Sequence, residues 1–409
     1  MNSRVKFLVV MTSACLVALL LLGAVLGKST APDNAYRHLA VFSEVLSRIK
    51  SEYVEEPDMK SVTVGALSGL LESIDPFASY LSADQYKEYL KKKDAHQAGV
   101  GLILSKKFGY MSVVDAIPGS PADKAGLTTG DIIEAIQGVA TRDMPLAYAD
   151  LLLRGDPGST VELSVMRVRR PEPQKITLTR AVVTYPPVVT KMLADQTGYI
   201  EPGALSPARL SQVAAGLAQL RKQGAVRLIL DLRHSAAGPP EDGVALANLF
   251  VDNGLLAYVQ GQKSPRKDFN AEPSKAVWKL PVAVITNRGT AGGAEVAAAA
   301  LLDTKRAQLV GERTYGDAAI RRAITMDDGA AIILSVAKYY SPSGKAIQDT
   351  GVTPQNVVAE AEPAIEFDEE GEPLKPETPE VKKPLEEDPL LKKALEVLGA
   401  APAVQATLK

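Results

Sequence analysis

Few side chains in this sequence are placed to do chemistry. Its one cysteine, Cys15, lies inside an uncharged apolar run, so disulfides and thiolate zinc sites are excluded from the rest of the chain. The three histidines, His38, His96 and His234, are too scattered for a metal site, and no metal or other cofactor is expected. Hydroxyl and carboxylate chemistry remains. Thr290, at the head of a helical run from Ala291 to Leu302, could serve as a nucleophile with His234 or Asp317 as its base. The plainer duty of a threonine there is to cap the helix, and that of His234 is to sit hydrogen-bonded in a loop. Asp317 and Arg321 carry the charges for a salt bridge.

The elements that must position these residues follow from periodicity. From Tyr36 to Lys93 the pattern is helical, with Leu39, Phe42, Val45, Leu46 and Ile49 on one face. A second helix, Val62 to Ile74, ends at Asp75-Pro76, and Ser82 caps a third. Between Gly99 and Arg180, short β-patterned runs alternate with turn signals such as Pro118-Gly119, which predicts a compact β-rich domain. From Val182 to Pro354 strands alternate with helices, the pattern of an α/β core with buried strands. The segment from Ala359 to Lys383, rich in Pro and Glu, is expected to be disordered, and a short amphipathic helix, Asp388 to Leu398, follows it. The predicted units are an N-terminal anchor or signal peptide (1–28), a helical arm (34–95), a β-rich domain (96–181), an α/β core (182–358) and an acidic tail (359–409).

The strings AGVGLIL, IPGSPADKAGLTTGDIIEAIQG and LLRGDPGSTVELSVMR resemble a PDZ domain of the bacterial protease type. The resemblance implies that the backbone amides of Gly99, Val100, Gly101 and Leu102 hold the C-terminal carboxylate of a peptide that adds a strand to the sheet edge. The other reading is that these glycines only shape a turn. Over almost the whole remaining chain, YVEE, IDPFASYLS, GYIEPG, GAVRLILDLR, AVITNRGTAGGAEVAAAALLD, RAQLVGERTYGDA and KYYSPSGKAIQDTGVTP resemble the carboxyl-terminal processing (tail-specific) serine proteases. That resemblance implies a crotonase-like α/β core with an inserted PDZ domain.

Active members of that family use a serine and a lysine, with a glutamine one turn beyond the lysine. A lysine desolvated enough to be uncharged can take the proton of a hydroxyl that is otherwise a poor nucleophile. This chain departs from the pattern at all three positions. Where the family reads Gly-Ser-Ala-Ser-Ala-Ser-Glu, it reads Gly289-Thr290-Ala291-Gly292-Gly293-Ala294-Glu295, which puts Gly292 at the attacking position. Asp317 stands where the lysine falls, and Arg321 where the glutamine falls. The segment that should supply the oxyanion donors reads Asp231-Leu232-Arg233-His234-Ser235-Ala236-Ala237-Gly238, without the family's Asn-Pro-Gly-Gly.

Composition leaves this reading room and narrows its partners. With 46% hydrophobic and 23% charged residues and a net charge of -2, the chain is globular and has no basic field for nucleic acid. The expectation is a noncatalytic relative that binds protein C-terminal peptides or a partner protein. A serine- or threonine-type endopeptidase acting near C-termini is the alternative, and a structural role in a homo-oligomer is a third.

Phe7 to Gly27 is an uncharged run of 21 residues preceded by Arg4 and Lys6. At about 1.5 Å per residue it crosses a bilayer core as a helix, and the basic flank leaves the bulk of the chain on the exported side. The AVLG before Lys28 is a poor cleavage signal. The mature protein is therefore expected to keep its N-terminus in the membrane. Mass spectrometry of native protein checks this, and an N-terminus near Ser29 on protein released from the membrane would refute it.

Overall fold

The structure, a computed structural model, describes residues 33–93, 98–107, 109–142, 144–167, 172–360 and 388–399, with Phe7, Met11 and Thr12. The rest of the expected anchor with Cys15, His96 and most of the acidic tail lie outside the described residues. Among the described residues no helix is long and apolar enough to cross a membrane. The chain divides into two compact units, Met1–Val64 and Gly65–Lys409.

In the first unit, helix α1 (Asp33–Glu52) leaves Leu39, Phe42 and Val45 exposed. The expected second helix is α2 (Met59–Glu72), starting three residues earlier than its pattern suggested. After it come β1 (Ser79–Leu81) and α3 (Ala83–Lys93). Ser82 caps α3 reciprocally: the Gln85 amide donates to Ser82 Oγ, and the Ser82 amide donates to Gln85 Oε1.

The β-rich domain runs through β2 (Leu102–Lys107), β3 (Tyr110–Ala116), α4 (Pro121–Lys124), β4 (Ile132–Ile136), β5 (Val139–Ala140), α5 (Leu146–Leu153), β6 (Thr160–Met166) and β7 (Gln174–Thr179). Its antiparallel sheet has the order β2-β3-β4-β6-β7, with β5 paired to β4, so β2 is an edge strand. Met111, Val113, Ile133, Leu163 and Val165 alternate inward to make its core.

The core domain begins with β8 (Val189–Met192) and β9 (Thr197–Glu201), then α6 (Pro207–Lys222), β10 (Arg227–Asp231), α7 (Pro240–Asn248), β11 (Leu255–Gly261) and β12 (Ser264–Asn270). It continues through β13 (Val282–Thr286), α8 (Gly293–Asp303), β14 (Gln308–Gly311), β15 (Ala319–Thr325), β16 (Ala331–Tyr340), β17 (Asn356–Val357) and α9 (Pro389–Val397). One sheet has the order β17-β14-β13-β10-β9-β8 and is parallel except for β8. Its central strands are apolar on both sides, since α6 to α8 pack on one face and α9 on the other. Helix α9 docks by burying Leu390, Leu391 and Ala394 against Ile229, Ile285 and Val310. A second, antiparallel sheet has the order β1-β16-β11-β12, with β15 on β16, and so takes β1 from the helical segment before the β-rich domain.

Helix α8 carries Gly292 at its head, and its seat on α7 depends on two glycines. A methyl group added at Gly243 would lie 1.8 Å from the carbonyl oxygen of Gly293, with no flexible side chain to give way. Gly243→Ala is expected to lower unfolding free energy by about 1–3 kcal/mol, the range for overpacked cores. Gly65→Ala, in open space on α2, is expected to stabilise by about 0.5–1 kcal/mol through helix propensity. Denaturant titration of the two variants checks the opposite signs.

Candidate functional site

The head of α8 is built around a carboxyl group. Glu295 is fully buried, and each of its oxygens takes two donors. Gly316 N–H donates to Oε1 at 2.7 Å and the Thr314 hydroxyl donates to the same atom. Asp317 N–H at 2.7 Å and Gly292 N–H at 3.1 Å donate to Oε2. Burial pushes this carboxyl up to about 8, with the hydrogen bonds from Thr314, Asp317 and Gly316 pulling the other way. The group ties the start of α8 to the 314–317 loop and so sets Gly292 beside Asp317.

Gly292 is the N-cap of α8, with φ 61° and ψ -124°, a conformation in which any side chain is strained. Sharp turns that present a nucleophile use such strain. There is room for a side chain: from an added methyl group the nearest atoms are the carbonyl oxygens of Gly238 at 3.4 Å, Asp317 at 3.7 Å and Ala236 at 3.8 Å. All three are acceptors, and the amide of Gly292 is already given to Glu295.

The structure sets the backbone of Asp317 beside Gly292. The Asp317 carboxylate and the Arg321 guanidinium form a salt bridge, each about a quarter exposed. The guanidinium lies 4.2 Å above the Phe77 ring, and its buried Nε has no hydrogen-bond partner among the described residues. Phe77 meets Tyr315 edge-on, and the Tyr315 hydroxyl bonds the Ser105 hydroxyl on β2.

Thr290 is not a helix cap, which corrects the expectation from sequence. The helix starts after Gly292, and the Thr290 hydroxyl instead closes the 287–290 turn. It donates to Leu232 O at 2.8 Å, accepts from Asn287 N–H at 3.1 Å and is fully buried.

His234 lies with φ 56°, and its Nδ1 is 3.0 Å from Asp115 Oδ1 on β3. Asp115 was not singled out in the sequence; it lies 119 positions away and no local pattern marks it. Arg233, one residue earlier, pairs with Asp231 at 2.7 Å and with Asp388 at the head of α9 at 2.6 Å.

Of the four peptide-loop residues, Gly99 gives its amide to Ala181 O at 2.9 Å, so it is not the free donor that the sequence suggested. Val100 O accepts from Ala122 N–H, and Gly101 O accepts from Ile117 N–H. This fixes the loop against α4 and leaves Leu102 to open the edge strand. No three metal-ligating side chains converge among the described residues.

Peptidase family S41 matches residues 196–358, and a PDZ domain matches residues 112–167. The carboxyl-terminal-processing protease of Synechocystis is 32% identical over 329 residues, which cover 78% of this chain and 76% of that one. The carboxy-terminal processing protease CtpA of Bacillus subtilis is 30% identical over 360 residues, covering 86% and 76%. The chain belongs to the carboxyl-terminal processing protease family. Its fold agrees: the solved photosystem II D1 C-terminal processing protease superposes with a TM-score of 0.65 at 27% identity, covering 78% of this chain and 92% of that one. The Glu295 cluster ties the 289–295 turn to the 314–317 loop, beside the Asp317–Arg321 pair.

That cluster can be tested. Glu295→Gln would turn an N–H₂ group toward two donors and leave them unsatisfied. It is expected to lower stability by about 2–3 kcal/mol. Chemical denaturation checks this; an unchanged midpoint would mean that the carboxyl does not hold the helix to the loop.

Proposed function

We propose that this chain is a membrane-anchored, noncatalytic member of its family that binds protein C-termini or a partner protein through its PDZ domain on the exported side of the membrane. The observation that carries the reading is the surroundings of Gly292. The position has no hydroxyl, its space is ringed by carbonyl oxygens, and its amide is held by Glu295. Acyl transfer needs a nucleophile and donors aimed at a developing oxyanion, and carbonyl oxygens repel that charge. The residue at the base position, Asp317, is held in an ion pair with Arg321. Thr290, the substitute nucleophile, is buried with its hydroxyl proton given to Leu232 O.

The binding half of the proposal rests on β2 as an edge strand and on the Val100, Gly101 and Leu102 amides as donors for a terminal carboxylate. Peptides with an apolar last residue are expected to need a free C-terminus. Equal binding of amidated and free peptides would count against this use of the groove.

Losing one member of a catalytic unit already costs several powers of ten in rate, and further losses add little. Turnover of an unfolded protein substrate by the full chain is therefore expected to match a buffer blank, and Thr290→Ala to change nothing. Cleavage above background that disappears in Thr290→Ala would establish the alternative, a threonine-dependent endopeptidase.

A further inference from the structure

The PDZ domain touches the loops around Gly292 at three places. Asp115 on β3 meets His234. The Ser105 hydroxyl on β2 meets Tyr315. Gly289 lies so close to Thr129 Oγ1 and Val114 O that an added methyl group would stand 3.4 and 3.5 Å from them. The first contact is the one that can change with conditions. The Asp115 side chain is 2% exposed, and its Oδ2 has no partner among the described residues. The Ala116 amide offsets part of its buried charge and the ring of His234 the larger part, and an imidazolium compensates far better than a neutral ring.

We propose that Asp115 and His234 form a proton-operated clasp that fastens the PDZ domain to the loop that follows β10, closed while the imidazole is charged and released when it is neutral. The clasp follows from contact geometry and stands whether or not the site turns over substrate.

The charged neighbours fix the sign. Burial works against the charge on His234, but the hydrogen bond and charge of Asp115, helped by Glu360, outweigh it and raise the imidazole above its ordinary value, with Arg233 opposing. Burial raises the Asp115 carboxyl, His234 and then the Ala116 amide pull it down, and Asp123 adds to the rise. Tyr185, its phenol pushed up to about 12 by burial and then by Asp115, stays neutral. Arg209 is turned away, donating to the Pro202 and Tyr185 carbonyls. Arg233 is occupied by Asp231, Glu360 and Asp388. A histidine raised in the closed state stabilises that state fully below its open-state value, about 6.5, and the stabilisation is lost as pH rises through the raised value. Protonation of Asp115 removes the pair at the acid end. The clasp is thus closed in a mildly acidic window and opens toward alkaline pH.

The test uses the full chain in detergent with Cys15→Ser and nitroxides on cysteines placed at Lys175 and Lys279, both well exposed. Electron–electron distance distributions are expected to be narrow at about pH 6 and to broaden at about pH 9. The open fraction should rise by about tenfold, the scale of one charged hydrogen bond. His234→Gly, which suits the left-handed backbone there, should be broad at both pH values. Carbon-13 labelled histidine spectra should show His234 titrating above its ordinary value and returning to it in Asp115→Asn. Identical wild-type distributions at the two pH values, or a His234 that titrates at the ordinary value, would overturn the clasp.

Discussion

The site depends on one buried carboxyl. Glu295 stands on the third residue of α8 and gathers donors from its own N-cap and from three residues of the 314–317 loop. Because both oxygens are filled, neither the helix nor the loop can shift without stranding a polar group in the core. The close approach of α7, whose Gly243 abuts Gly293, holds the same helix from behind. The seat of the helix head on the loop is therefore held by Glu295 and its donors, whatever side chain stands at 292. On the proposed reading this is why the arrangement can persist without the reacting groups.

The side chains at 317 and 321 make sense only as a pair. An aspartate at 317 puts a second carboxylate beside Glu295, whose own ionisation it opposes. Left alone it would also be a partly buried charge. The arginine at 321, one strand position beyond the bulge between Ile320 and Arg321, reaches back to neutralise it and lays its guanidinium on Phe77. On the proposed reading, the ion pair and the stacked ring fill the region where an uncharged amine would have to stand. A lysine placed at 317 alone would set two cations side by side.

Much of this was legible in the sequence where the signal is local. The buried strand LILD, the Ser82 cap and the apolar face of α9 each follow from short-range pattern. The second sheet was not legible. Its β15 reads AIRRAIT and its β12 reads SPRKDFN, edge strands whose charged residues hide the alternation, and β1 joins β16 from 250 positions away. Threonine favours the capping duty, but the actual cap is a glycine whose amide is met by Glu295. The Gly99 amide and the Asp115–His234 pair depend on where the PDZ sheet closes and where it rests, which only the packing reveals.

Binding and turnover make separable demands on such a fold. Interactions equal in the ground and transition states hold a ligand without accelerating anything, and only groups aimed at developing charge add rate. An edge strand, a loop of backbone amides and the turn beneath the PDZ domain belong to the first kind, and none of them depends on the side chains at 292, 317 or 321. On the proposed reading, substitution at those three positions removes the second kind alone. A bound C-terminus is then held at a site that cannot cut it, and how long it stays is set by the PDZ groove and by how tightly that domain is fastened to the core.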